Sequence, residues 1–393
     1  MGQIHQERIM GGRPIVLFFL IDAMGWEWLA DKPFLNDHFR HRQPVKTIFG
    51  FSSSAIPTIL TGKYPDEHGR WNLLFLSPLT SPFRWTKYLH FLPDTLLENR
   101  VTRKLITLIT KRLVKADGYF SGYVATRKLW LFDICEKYNI YRKGGIDGCS
   151  TIIDYLEETH TPHKIYSYHD YTDEQAFDCL QRDLHDDRSL VYFAYLPELD
   201  AFLHRYADRP GEVADRITWY EERIRKIIDD AKAISEDVRV FVFSDHGMAP
   251  IVKQFDLIGI LRNNEIDLEN DCLAVFDSTM ARFWSDNPLA LEKIAATLKD
   301  CPEGKLLSRE ELQAMRTYFP DGRYGQLIFL MHPGTLIFPN LFGSHCPAGM
   351  HGFHPDDRHS NGSYLASVAD YQPESIVDLY HVMRSEVDRV RSR

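Results

Sequence analysis

The chain has 393 residues, with 46 Lys and Arg against 55 Asp and Glu, so its formal net charge is −9. That balance excludes a general nucleic-acid binder, and no polymeric nucleic acid is expected as a partner. Apolar residues make up 44% and aromatic residues 13%, which excludes a disordered protein; the length suits one large α/β domain spanning 1–393, with inserted segments.

Six cysteines (Cys135, Cys149, Cys179, Cys272, Cys301 and Cys346) show no Cys-x-x-Cys spacing. This disfavours a disulfide scaffold and a Cys-type zinc site. The 17 histidines favour metal chemistry. The apolar run Ile15–Ile21 is too short to span a membrane and has no leader cleavage pattern, so a soluble, cytoplasmic protein is expected.

Ile15–Ile21 is continuously apolar and reads as a strand buried on both faces. It ends in Asp22-Ala23-Met24-Gly25, and Asp22 is either a helix cap or a ligand. A short strand is expected over 47–51. Ser52-Ser53-Ser54 then opens a helix over 55–61 that Gly62 closes. A serine at a helix N-terminus is either a cap or a nucleophile in the dipole field. Three in a row leave one to cap and one free for chemistry.

Residues 76–165 carry no catalytic motif and are expected to form a lid or side wall. Within them Val101, Leu105, Leu108, Ile109 and Leu113 fall at helical spacing, beside Arg103, Lys104, Lys111, Arg112 and Lys115. Such a helix can lie on a membrane or bind an anionic substrate. The expectation is the plainer one, a packed helix with a solvated basic face.

A helix over 172–184 and a strand over 189–196 lead to Asp200-Ala201-Phe202-Leu203-His204. Residues four apart on a helix face the same way, so this carboxylate and imidazole converge. A long helix over 213–234 precedes a buried strand over 239–243, which stops at Ser244-Asp245-His246-Gly247. Gly247 is expected to let the chain turn. The carboxyl ends of strands are where open α/β sheets bind ligands, and Asp with His offers the donors that zinc-like metals take. Residues 255–340 suggest a small α+β insertion; Arg282 within it is expected to be structural or on the surface rather than a phosphate contact. Gly349-Met350-His351-Gly352-Phe353-His354 and a helix over 373–390 complete the chain.

The block Ser52…Leu60-Thr61-Gly62-Lys63-Tyr64-Pro65-Asp66-Glu67-His68-Gly69, following a strand that ends in Asp22, resembles the alkaline phosphatase superfamily. Within it the type I phosphodiesterase / nucleotide pyrophosphatase branch is most similar. The likeness covers roughly 14–75, 189–250 and 343–360. It implies a central, mostly parallel sheet flanked by helices, with the small α+β insertion beside it. Ser52 is the implied nucleophile. Ser53 and Ser54 stay open beside it, because the branch often has Pro two positions after the nucleophile and here Pro57 stands five after. Sulfatases carry Pro and Arg where this chain has Ser54 and Ile56, so sulfatase activity is not implied. Asn72 resembles the family's phosphate-binding Asn, displaced by one residue; a turn Asn is the plain alternative.

By the same resemblance, one metal takes Asp200, His204 and His351, and a second takes Asp22, Asp245, His246 and the Ser52 oxygen. His354 and His359 are expected outside both sets. Two divalent ions are implied, zinc first and manganese as the alternative. Such a pair about 4 Å apart clamps the attacking and leaving oxygens of an in-line displacement. A phosphoseryl intermediate on Ser52 follows, with Asn72 and helix N-terminal amides holding the non-bridging oxygens. The implied function is a two-metal phosphodiesterase or nucleotide pyrophosphatase acting on a small-molecule phosphoester. A phosphomonoesterase or phosphotransferase on the same site is the alternative. A non-catalytic binding protein would have lost ligands, and all seven positions are present. The chain is short for the related cofactor-independent phosphoglycerate mutases.

Overall fold

Every residue of β1 (Ile15–Ile21) is buried, and successive side chains enter opposite layers. Ile15, Leu17, Phe19 and Ile21 join one apolar cluster; Val16, Phe18 and Leu20 join another. The unbroken apolar run is thus the middle of a three-layer sandwich, wetted on neither face. The computed structural model describes residues 12–119, 124–340 and 346–393. Residues 120–123 of the expected side wall and 343–345 of the last resembling block lie outside the described residues.

The central sheet has six strands. Besides β1 they are β2 (His41–Val45), β3 (His163–Tyr166), β4 (Val191–Leu196), β5 (Val238–Phe243) and β6 (Gly362–Ala366), in the order β2-β6-β5-β1-β4-β3. β1 pairs in parallel with β4 and β5, and β3 with β4. Only β6 is reversed, running antiparallel to both β5 and β2. The sheet is therefore mixed and mostly parallel, as expected.

Helices α1 (Ser52–Thr61), α2 (Arg100–Val114), α3 (Asp173–Asp186), α4 (Glu198–Tyr206), α5 (Pro210–Ile234) and α6 (Leu379–Arg391) are the main ones. α3, α4 and α5 cover one face of the sheet through residues such as Phe177, Leu199 and Ile224. α1 and α6 cover the other through Ile56, Ile59, Met383 and Val387. A second, four-stranded antiparallel sheet is built from Leu273–Phe276, Met280–Trp284, Leu327–Met331 and Gly304–Leu306 in that order.

Three local expectations change. The strand placed at 47–51 lies earlier, at β2, whose His-Arg-Gln-Pro-Val sequence has no apolar run because it is a half-exposed edge. An edge strand tolerates the missing N–H of Pro44. The helix placed at 55–61 starts at Ser52, and Phe51 occupies the cap position without a side-chain cap bond, so no serine caps it. α2 forms, but it packs through Ile106 and Thr110, and the apolar side chains expected inside (Val101, Leu105, Leu108, Ile109 and Leu113) are exposed.

Phe18 stacks on Phe241 with ring centroids 5.3 Å apart and meets Phe243 at 6.4 Å. Phe18→Ala is expected to cost about 3–5 kcal/mol of stability, read as a lower denaturation midpoint in urea.

Candidate active site

The neighbours β5, β1 and β4 run in parallel and end at the same edge. β1 hands over directly to Asp22, β5 to Ser244-Asp245-His246, and β4 to α4, which carries Asp200 and His204. Sheet order alone therefore places these groups in a row at the carboxyl edge. His351 enters from Gly349–Met350, which pairs antiparallel with Ala249–Pro250 just beyond His246. Ser52 stands at the first residue of α1.

The His246 Nε2 atom is the meeting point. It lies 2.9 Å from Ser52 Oγ, 3.3 Å from Asp22 Oδ1 and 3.3 Å from Asp245 Oδ2. The His246 and His351 rings stack at 3.8 Å. His351 Nε2 is 3.5 Å from Asp200 Oδ1, and His204 Nε2 is 3.3 Å from Asp200 Oδ2. The backbone sets two of the imidazole tautomers. His246 Nδ1 faces the Gly247 carbonyl at 2.8 Å, and His204 Nδ1 faces the Gly349 carbonyl at 2.9 Å. A carbonyl only accepts, so each Nδ1 carries a proton and donates it there, and in the neutral ring Nε2 is left as a lone pair aimed into the site.

Oδ1 of Asp22, Oδ2 of Asp245, Oδ1 of Asp200 and Nδ1 of His351 are all buried without a hydrogen-bond partner. Burial, then the neighbouring Asp245 charge, pushes the Asp22 carboxyl well above its usual range. Burial pushes Asp245 up to about 7. Burial would also raise Asp200, but the adjacent His204 and His351 outweigh it and hold that carboxyl low. The reciprocal effect, against burial, lifts His204 to about 9. Burial and the His246 charge depress His351.

Carboxylates crowded out of water with oxygens unsatisfied either take up protons or pair with a cation. Asp22, Asp245 and His246 offer ligand atoms within 4.8 Å of one another, and so do Asp200, His246 and His351. Both sets fit a divalent metal. The first matches the expected grouping. The second has His246 where His204 was expected, although His204 stands against Asp200.

Of Ser52, Ser53 and Ser54, Ser52 is the one whose Oγ is bonded to the His246 ring. Ser54 Oγ donates to the Phe51 carbonyl at 2.8 Å, and Ser53 Oγ is buried without a partner. Asn72 is buried; its Oδ1 accepts from the Leu74 amide at 3.4 Å and its Nδ2 has no partner. His354 and His359 belong to neither group of ligand atoms, and His354 faces Asp356. Arg282 is wholly buried, with Nε 2.5 Å from Asp277 Oδ2 and Nη1 donating to the Leu74 carbonyl, so it is structural.

Sequence reading missed several groups that shape the site. Tyr195 donates to Asp22 Oδ2 at 2.5 Å and stacks on Tyr141 at 5.2 Å. Its signal was a polar-tipped aromatic in the last turn of a buried strand. Thr47 Oγ1 donates to the Asp245 carbonyl at 2.7 Å. Ala23 has a φ of 61°, and its amide donates to Asp245 Oδ1 at 3.3 Å. A non-glycine residue held there costs of order 1 kcal/mol or more, and such strain gathers at functional sites. Gly247 serves close packing rather than a turn: a Cβ there would lie 2.2 Å from the His359 carbonyl oxygen, and one on Gly25 would lie 2.3 Å from the Gly247 Cα.

The family described as type I phosphodiesterase / nucleotide pyrophosphatase matches residues 16–354. Among curated proteins, none matches the chain. Among solved structures, human ectonucleotide pyrophosphatase / phosphodiesterase 5 superposes with a TM-score of 0.66 at 12% identity, over 95% of each chain. The murine protein gives 0.63 at 15% identity, again over 95% of each chain. An inactive murine variant in complex with AMP gives 0.64 at 15% identity, over 96% of this chain and 95% of that one. At these identities the structures speak for the fold.

Two outcomes follow from this geometry. Gly247→Ala is expected to lower stability by about 1–3 kcal/mol and to displace His246; Gly211→Ala, at a position with open space, should do neither. Thermal melts of the pair check this. Asp22 and Asp245 have raised carboxyl pKa values when folded. Their contribution to metal-free stability is thus fully present below the ordinary value of 3.8 and is lost as pH rises, for Asp245 through about 7 and for Asp22 through its own raised value. Chelator-treated protein should therefore melt lower as pH is raised across that window, while added zinc should stabilise it more at the upper end than at the lower.

Proposed function

This chain belongs to the type I phosphodiesterase / nucleotide pyrophosphatase family, hydrolases acting on phosphoester bonds, and from that premise we propose that Ser52 is its nucleophile in a metal-dependent phosphodiesterase reaction. The observation that carries the proposal is Ser52 Oγ, 2.9 Å from His246 Nε2 and beside two carboxylates with unsatisfied oxygens.

Asp22, Asp245 and His246 would hold one divalent ion next to Ser52. Nε2 of His246 has a single lone pair, so Asp200 and His351 would complete the second set with His204. Mixed oxygen and nitrogen donors favour zinc, with manganese also accommodated. When bound, the ions would lower the pKa of the serine hydroxyl and offset charge on the leaving oxygen.

The chain's own groups do the rest. Ser52 Oγ bonds to phosphorus as the leaving ester oxygen departs, giving a phosphoseryl intermediate that water then hydrolyses. The positive end of α1 favours negative charge there, and the Ser52 and Ser53 amides precede the first helical bond, from the Ser54 amide to the Phe51 carbonyl. Asn72 Nδ2, an unpartnered donor, would hold a non-bridging oxygen. Among the described residues, the ion-pair partners of Asp22, Asp200 and Asp245 are all imidazoles, not Lys or Arg. A site without that extra fixed positive charge suits a diester monoanion better than a monoester dianion. The AMP complex of the murine relative puts nucleotide esters first in a substrate panel.

With zinc or manganese, turnover of bis-p-nitrophenyl phosphate is expected to exceed that of p-nitrophenyl phosphate. Ser52→Ala should reduce it by about 10³-fold or more with an unchanged circular dichroism spectrum. Retained activity in Ser52→Ala would remove the nucleophile assignment, and a monoester preference would favour a phosphomonoesterase.

A further inference from the structure

The catalytic reading leaves α2 unexplained. Residues 100–115 contain Arg100, Arg103, Lys104, Lys111, Arg112 and Lys115 and no acidic residue, in a chain of net charge −9. At about 100° per residue, Arg100, Lys104, Lys111 and Lys115 share one stripe, and Val101, Leu105, Leu108, Ile109 and Leu113 form the next, with the exposed Arg112 among them. The helix is anchored from its third side, where Ile106 enters an apolar cluster and Thr110 Oγ1 accepts from Trp85 Nε1 at 3.0 Å. The apolar stripe therefore faces outward, as do Arg100, Lys104 and Lys115 of the basic one, while Lys111 is half-buried with Nζ donating to the Gly118 carbonyl at 3.3 Å. Val101 is 68% exposed, Leu108 65% and Leu113 64%; Tyr88, Phe91 and Leu96, in the segment that precedes α2 in the chain, are exposed as well. An apolar face of this extent calls for a partner.

The charge identifies the partner. Self-association would leave the basic stripe without an anionic counterpart on the facing helix, which carries the same cations and no acid. An anionic lipid surface takes both stripes at once, with cations among headgroup phosphates and leucines at the acyl boundary. No helix among the described residues is long and apolar enough to cross a membrane, and α2, with 15 residues, suits lying in the interface plane. The segment just after α2 reaches toward the site through a run of aromatic contacts. Beyond α2, Tyr119 meets Tyr168 at 6.5 Å, Tyr168 meets Tyr195 at 5.8 Å, and Tyr195 donates to Asp22.

We propose that α2, with Tyr88, Phe91 and Leu96, docks the protein on an anionic lipid surface and holds the carboxyl edge of the sheet beside the headgroups. Docking does not depend on the catalytic reading; access to headgroup phosphoesters does.

The experiment is cosedimentation of the full chain with vesicles of phosphatidylcholine alone or mixed with phosphatidylglycerol. Binding is expected to the mixed vesicles only and to weaken as salt is raised. The double variants Leu105→Glu/Leu108→Glu and Lys104→Glu/Lys115→Glu should each reduce partitioning by about tenfold or more, with turnover of soluble bis-p-nitrophenyl phosphate unchanged from the parent. Absence of binding to mixed vesicles, or variants that bind like the parent, would overturn the proposal. So would a lipid-free dimer in analytical ultracentrifugation that Leu105→Glu/Leu108→Glu dissolves. Vesicle binding is read without turnover, so a parent inactive on the soluble diester would count against the catalytic reading alone.

Discussion

Three carboxylates drawn out of water beside one another are the constraint around which this molecule is arranged. Asp22 and Asp245 are almost fully buried, Asp200 is half-buried, and each keeps an oxygen that no donor satisfies. Left as they are, they repel, and burial forces Asp22 and Asp245 toward their neutral forms. A chain of this stability range tolerates such a cluster only where something else balances it. Imidazoles supply part of the balance: His204 pairs with Asp200, while His246 lies within 3.3 Å of both Asp22 and Asp245. Divalent cations would supply the remainder and turn the cost into binding energy.

The scaffold holds this cluster through its topology and a few close contacts. Three adjacent parallel strands lead to the carboxylates, Asp22 directly after β1, Asp245 two residues after β5 and Asp200 in the first turn of α4, so the hydrogen-bond ladder sets where the row begins. Loops carrying the remaining groups are pressed close, as the contact between Gly25 and Gly247 and the left-handed Ala23 record. Tyr195 and Thr47 tie Asp22 and Asp245 to the sheet and to the loop that leads to Ser52.

What could be read without the structure follows the same physics. β1 and β5 are visible because strands buried on both faces are continuously apolar, so the polar residue that ends each one stands out. Asp200 and His204 are visible because helical spacing fixes their common side. β2 is invisible, since an edge strand bearing Arg42, Gln43 and Pro44 has no period to detect. Tyr195 is hidden by its apolar ring, which reads as core. The periodicity of α2 was plain, but which side meets the protein was not: a hydrophobic stripe records a preference for an apolar surrounding, and nothing in its spacing says whether that is the core or another surface. The sharing of His246 between two groups of ligands depends on a 3.8 Å ring stack with His351, a residue 105 positions away, and no local pattern encodes it.

Anomalous diffraction from zinc-soaked crystals tests the central claim most directly. Two peaks are predicted, one among Asp22, Asp245 and His246 within bonding reach of Ser52 Oγ, the other among Asp200, His204 and His351. No peak at the carboxyl edge, or an ion that leaves Asp22 and Asp245 without a ligand bond, would contradict it.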